Sequence, residues 1–371
     1  MNSREINELR RRFSPDNTNL TCIRGCYVSG KKETVSLFRL PPVSLPEEEK
    51  EKYLSLFRKV LTGTPGKNLV SISFASADVG QSDEHRLLTA LRDDALRDDD
   101  LAQVFFQRVT DGLDVEKGAL ILLAHDAYDV PFRGEDSGEV FHYIVCAICP
   151  VKLSRAALAY SAGDNLFHPC DPQWVVGAPE AGFVFPAFDE RAANIYNALC
   201  YTRDTAGGND GLLRAVFGAQ PPMPADAQAH AFREILQETL GEECSLEVVQ
   251  SVHEQLCERL AEQKHDREAP PPPVSAPQLR QALEVCGVPQ EKAQAFEERC
   301  REEFGPGVDA SAVNILDAKQ FQVKAPGVVI RVDPDHRDLV ETRVINGRRY
   351  ILIRAEEGVE VNGVNVNILN D

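Results

Sequence analysis

Two apolar runs in the middle of the chain constrain the fold more than any other feature. Gly118-Ala-Leu-Ile-Leu-Leu-Ala124 is nearly all apolar and too short for a core helix, the pattern of a strand buried on both faces. After a polar loop, Arg133 to Glu139, a second run from Val140 to Ile148 has the same character. Two such neighbours make the middle of a sheet, which then needs helices over both faces. The flanking sequence supplies them. A helix from Glu47 to about Leu61 carries Tyr53, Leu56, Phe57, Val60 and Leu61 on one face, and Ser44-Leu-Pro-Glu47 fits a capping box at its start. Asp83 to Asp94 and Asp99 to Leu113 form two more, with Leu87, Leu88, Leu91, Leu101, Val104, Phe105 and Val109 turned inward.

Further strands are predicted at Leu20–Val28, Thr34–Leu40 and Leu69–Phe74, with short ones at Ala156–Ser161 and Gln173–Val176. Gly182 to Phe188 is aromatic and broken by Pro186, which suggests an edge strand or a strand end. Two amphipathic helices around Phe232–Leu240 and Leu246–Leu260 are expected to pack on the sheet. The class is α+β: a large mixed α/β domain with a central sheet and packed helices.

At 371 residues the chain exceeds ordinary single-domain size. Residues 266–277 include four consecutive prolines, the composition of a semi-rigid spacer. The predicted division is therefore a large domain over 1–265, a proline-rich linker over 266–277, and a small module over 278–371 built from two short helices and β-hairpins. Asn346-Gly347 as a two-residue turn places Val344 opposite Arg349, Thr342 opposite Ile351 and Val340 opposite Ile353. Asn362-Gly363 likewise pairs Val361 with Val364.

A formal charge of −18 and a pI near 5.0 repel phosphates and anionic membrane surfaces, so direct nucleic-acid binding is a poor expectation. The charged N-terminal segment is no secretory signal, and no apolar run is long enough to span a bilayer. Ten dispersed cysteines read as free thiols and the protein as cytoplasmic. The partner class left open is protein.

Five clusters invite a chemical reading. His125, Asp126 and Asp129 follow the first buried strand, where open sheets place ligands, and are the candidate acid–base or divalent-metal residues, with His142 and His168 as possible companions. Cys146 and Cys149 have the spacing of a metal pair, but three residues apart in a strand they point to opposite faces, which favours buried structural thiols. Asp98-Asp-Asp100 lacks the interleaved glycine and distal Glu of a calcium loop and reads as a solvated helix start. Gly63-Thr-Pro-Gly-Lys67 has the wrong spacing for a phosphate loop. Arg10-Arg-Arg12, with Arg4, reads as a solvated helix face, and an RNA- or ribosome-associated role would rest on it alone. No serine-hydrolase elbow, zinc-protease helix or dinucleotide fingerprint is present.

Several stretches taken together resemble one bacterial family, the domain of unknown function numbered four thousand three hundred and seventeen. They are Ile6-Asn-Glu-Leu-Arg-Arg-Arg-Phe, Cys26-Tyr-Val, Gly66-Lys-Asn-Leu, Tyr128-Asp-Val-Pro, Tyr143-Ile-Val-Cys-Ala-Ile-Cys-Pro-Val, Thr239-Leu-Gly-Glu-Glu-Cys and Val340-Glu-Thr-Arg-Val-Ile-Asn-Gly. The resemblance implies a bacterial cytoplasmic protein and brings no catalytic residues or cofactor with it. Where relatives often carry Asn-Asp-Arg-Ser, this chain has Asp189-Glu-Arg-Ala192 and so no serine at that place. The function expected from sequence is non-enzymatic binding or regulation, with a metal-dependent hydrolase or phosphoryl-transfer enzyme using His125, Asp126 and Asp129 as the alternative.

Overall fold

The computed structural model describes the chain apart from residues 75–77, 114–117, 131–139, 206–208, 220–222, 266–272, 305–309, 316–319, 356–358, 362–363 and 367–371. The polar loop before Val140, the proline run and the Asn362-Gly363 turn therefore lie outside the described residues.

In the N-terminal unit, Met1–Ala225, the elements run α1 (Ser3–Arg12), β1 (Cys22–Val28), β2 (Thr34–Leu40), α2 (Glu47–Val60), β3 (Leu69–Ser73), α3 (Asp83–Asp93), α4 (Asp99–Gly112), β4 (Ala119–Asp129) and β5 (Val140–Leu153). There follow β6 (Ala157–Ser161), β7 (Leu166–Cys170), β8 (Trp174–Val176), β9 (Ala181–Phe185), β10 (Ala187–Asp189), β11 (Ala192–Asn194), β12 (Asn197–Thr202) and α5 (Asp210–Phe217).

The main sheet is antiparallel with order β2-β1-β4-β5-β9-β12-β3, and the two apolar runs are its central pair, in register from Ala119↔Pro150 to Asp129↔Val140. One face carries Cys26, Ile121, Leu123, Ile144, Cys146 and Phe183 beneath α3, α4 and α5. The other carries Ile23, Leu122, Tyr143, Val145, Cys149 and Val184 beneath α1 and α2. Alternation along each strand assigns residues to the two cores. Two close approaches set the helix positions. A Cβ on Gly182 would stand 2.4 Å from the Cys146 carbonyl and 2.8 Å from Val60 of α2, and α4 meets α5 backbone to backbone at Gly112 and Gly211.

Three local expectations give way. The strand expected to stop at Ala124 continues to Asp129, because β1 supplies backbone partners as far as His125 and β5 as far as Asp129. Pro46, not Ser44, precedes α2 and no side-chain cap forms, since Ser44 is taken into a short 3-10 turn over Pro42–Ser44. The third gives way only in its edge-strand form: Pro186 marks a strand end, between β9 and β10, and β9 lies inside the sheet between β5 and β12 with no missing donor.

The C-terminal unit begins at Asp226. Its elements are α6 (Ala225–Leu240), α7 (Leu246–His265), β13 (Pro273–Val274), α8 (Ala276–Val285), α9 (Gln290–Phe304), β14 (Ala310–Ser311), α10 (Ala312–Ile315), β15 (Phe321–Ala325), β16 (Val328–Val332), β17 (Val340–Ile345), β18 (Arg348–Ile353), β19 (Val359–Val361) and β20 (Val364–Val366). The division thus falls ahead of the proline run. The two helices expected on the sheet belong to this unit: Lys292 of α9 donates to the Leu240 carbonyl at the end of α6, and Gln250 of α7 donates to Arg337 and Val340 carbonyls. An amphipathic period says that a face is covered, not by what.

The last three strand pairs are separate two-stranded ribbons. Val344↔Arg349, Thr342↔Ile351 and Val340↔Ile353 pair as expected, with Asn346 at φ 51° and Gly347 at φ 74° as the turn requires. No helix among the described residues is long and apolar enough to cross a membrane.

Candidate functional site

His125 and Asp126 are neighbours in β4 and therefore face opposite sides of the sheet. The candidate cluster is split in two by the strand that carries it.

On the α1 side, Asp126 is 1% exposed and fully engaged. Arg12, in the last turn of α1, donates from Nε to Oδ2 at 3.2 Å and from Nη2 to Oδ1 at 3.3 Å, and Tyr143 Oη donates to Oδ2 at 2.8 Å. The Arg12 guanidinium also lies over the Tyr128 ring, 4.9 Å from its centroid. Tyr128 Oη donates to Glu8 at 2.5 Å, and Glu8 accepts from Arg191 at 2.8 Å. Burial, the bond to Glu8 and that carboxylate's charge push the Tyr128 phenol up to about 12, while burial and then Asp126 raise Tyr143 well above the ordinary value. Both phenols remain protonated donors at neutral pH. The result is a chain of charge-assisted hydrogen bonds that clamps α1 to the sheet and to the β10–β11 hairpin. Glu190 and Arg191 at the tip of that hairpin both have positive φ, and Glu5 accepts the Arg191 N–H at 3.3 Å.

On the α3–α5 side, His125 is 2% exposed. Its Nδ1 is 3.1 Å from Thr21 Oγ1, while Nε2 is buried without a partner among the described residues. The exposed neighbour on that face is His142, whose ring stacks on it at 5.6 Å between centroids. Burial first, then the charges of His142, Arg97 and Arg92, bring His125 down to about 4, against a smaller opposing pull from Asp126. It is a neutral imidazole at physiological pH. Asp129 shares the His125 face but sits four residues along the strand, about 13 Å away at the usual rise. His168 lies on β7 and pairs with Asp164.

The cysteine pair divides as alternation requires, Cys146 into one core and Cys149 into the other. Burial raises both thiols, Cys149 to about 12, so neither is poised as a thiolate nucleophile or ligand. Among the described residues no three His, Cys, Asp or Glu side chains converge on a point a metal could occupy.

Two uses of charge escaped the sequence reading. Arg12 turns inward from a run that reads as a solvated face. Its signal was position: the last turn of an amphipathic helix, one residue before Phe13, which is itself fully buried. Arg24, buried in β1, donates to the Leu96 and Arg97 carbonyls at 2.6 and 2.7 Å and to Asp99 at 2.5 Å, fastening the α3–α4 connection, where Ala95 and Leu96 have positive φ. The acidic run is thereby spent on structure, since Asp98 caps α4 through the Asp100 and Leu101 amides and Asp99 meets Arg24.

No curated protein and no solved structure matches the chain. The family model described as Domain of unknown function (DUF4317) matches residues 1–364, nearly the whole length, and the chain belongs to that family.

Proposed function

We propose that the chain is a non-catalytic protein-binding factor whose contact surface is the β17–β18 ribbon of the C-terminal unit. The observation that carries this reading is the contrast along one face of that ribbon. At its root Val340 is 2% exposed and Gln250 of α7 ties the backbone down, with its cross-strand partner Ile353 open, while further out Ile351 is open and Val344 is 70% exposed. An anchored ribbon with an apolar, uncovered outer face suits an extended partner segment laid across it. Arg349, the cross-strand partner of Val344, adds a positive charge at the outer end of this face, so the fitting partner is an apolar segment that ends in a carboxylate. A hydrolytic or phosphoryl-transfer site at His125, Asp126 and Asp129 is disfavoured by geometry, because the three do not face one space and both Asp126 oxygens are already engaged. The RNA-associated reading loses Arg12, which is committed to Asp126.

Affinity capture with the full chain and with an Ile351→Asp variant tests the proposal. A partner retained by the wild type and lost by a variant of unchanged fold supports it. Equal retention by both, or no partner for either, removes it.

A further inference from the structure

The chain's formal charge of −18 is not spread evenly. From Phe321 to Arg354 it carries seven lysines and arginines against four aspartates and glutamates, and within that stretch the β17–β18 ribbon holds three arginines and a single glutamate. Pairing falls off toward the turn. At the root Arg337 meets Glu254 of α7 and Arg354 meets Asp338, while in mid-ribbon Arg343 meets Glu341 at 3.2 Å, a pair exposed enough for water to screen it. Beside the turn, Arg348 and Arg349 meet no carboxylate among the described residues. Arginines left unpaired in a chain so rich in carboxylates are open to an anion from outside.

Alternation sorts these residues onto two faces. Arg349 lies with Val344 and Ile351 on the apolar face, while Arg343, Ile345, Arg348 and Tyr350 share the other. There Arg343 is the cross-strand partner of Tyr350, roughly 5 Å away between backbones in such a pair, and Arg348 stands two residues from Tyr350 on the same strand, roughly 7 Å away. A phenol ring that is 40% exposed thus sits between two guanidinium-bearing positions.

We infer that this face of the ribbon binds single-stranded nucleic acid, with a base stacked on the Tyr350 ring and the adjoining phosphates taken by Arg343 and Arg348. Each part of that ligand answers a part of the face. An aromatic ring stacks with any base, and the planar guanidinium fork grips phosphate oxygens in pairs. A carboxylate-rich peptide would serve the arginines and leave the ring unused. A duplex keeps its bases stacked on one another, so only a strand with free bases reaches the ring. The face lies behind the apolar one assigned above to a protein segment, and it draws nothing from the arginines of α1.

Fluorescence anisotropy of the full chain with a short labelled RNA of A and C only, which cannot pair with itself, tests the inference. The expected dissociation constant is on the order of 10–100 μM at 50 mM salt, and two phosphate contacts to a single strand predict a weakening of about sevenfold between 50 and 200 mM. Tyr350→Ala should weaken binding at least about fivefold and leave the salt dependence as it is, because it removes a stack and no charge. Arg348→Gln should weaken binding and roughly halve the salt slope. Ile351→Ser, on the apolar face, should bind RNA like the wild type, which separates this site from the protein-binding one. No binding at the upper end of that concentration range, or a Tyr350→Ala variant that binds like the wild type, would overturn the inference. So would equal affinity for a duplex of the same length, or displacement by polyglutamate as effective as by unlabelled RNA of equal charge, which would point to an acidic protein instead. The salt series and the polyglutamate competition use the wild-type chain and decide even where a variant fails to fold.

Discussion

The sheet of the N-terminal unit and the ribbons of the C-terminal unit use the same alternation of apolar and polar residues, yet they bury them very differently. In β4 and β5 both faces are covered, so each side chain is fixed by neighbours from two directions and even the polar residues at 125 and 126 are sealed in. In β17 and β18 only Val340 is sealed. Periodicity specifies which residues share a face, but coverage decides what that face is worth. Substitutions in the sheet should therefore act through packing and unpaired charge, and those in the ribbons through the backbone alone.

The sharpest break should come at Asp126. Asp126→Ala leaves the Arg12 guanidinium and the Tyr143 hydroxyl without their acceptor in a buried site, an expected loss of about 3–5 kcal/mol. Replacing both members, as in Arg12→Met with Asp126→Leu, should recover much of it because no charge is left unpaired. Urea unfolding of the three proteins measures this. A double variant as unstable as the single would show that the clamp acts through shape and not charge.

Gly182→Ala comes next. The added methyl meets the Cys146 carbonyl of the paired strand β5 and Val60 of α2 inside van der Waals contact, so both the β5–β9 pairing and α2 must shift, at about 2–3 kcal/mol. A denaturation midpoint equal to wild type would mean that strand and helix both yield without cost.

His125 offers a pH-dependent comparison across the same strand. Its folded value of about 4 lies below the ordinary 6.5, so between these the unfolded chain takes up the proton first. Stability is then complete above about pH 6.5, falls as pH drops toward 4 and levels off below it, the imidazole accounting for about 3 kcal/mol. His125→Leu should flatten that part of the profile relative to wild type. Parallel profiles would show that His125 escapes to solvent when protonated.

The sheet was legible in sequence because a run such as Leu120 to Leu123 has no other way to bury both faces, and its two strands pair as expected. Alternation likewise sent Cys146 and Cys149 apart. The same rule, carried past Ala124, separates His125 from Asp126. What stayed hidden was long-range: that Arg12 reaches a carboxylate 114 residues away, and that α7 belongs with the ribbons. Such partners are chosen by three-dimensional proximity, and a charged residue in a helix carries no local mark of whether its target is water or a buried acid.

The smallest effect is expected at the ribbon turn. Nothing lies within 4 Å of a Cβ placed on Gly347, so in contrast to Gly182 no packing is disturbed by a larger residue. What changes is the backbone: φ 74° is open to glycine and strained for a β-branched side chain. Gly347→Val should cost about 1 kcal/mol, confined to the hairpin that the turn closes. Hydrogen exchange on the full chain resolves it, because local opening appears only in the amides that open. The amides paired between β17 and β18 should exchange roughly fivefold faster in the variant, the factor that corresponds to such a cost, while those between β4 and β5 keep the wild-type rate. Acceleration in both regions would mean that the ribbon is coupled to the sheet after all; no acceleration in either would mean that valine adopts the left-handed turn without strain, contrary to the type I′ geometry assigned to Asn346 and Gly347.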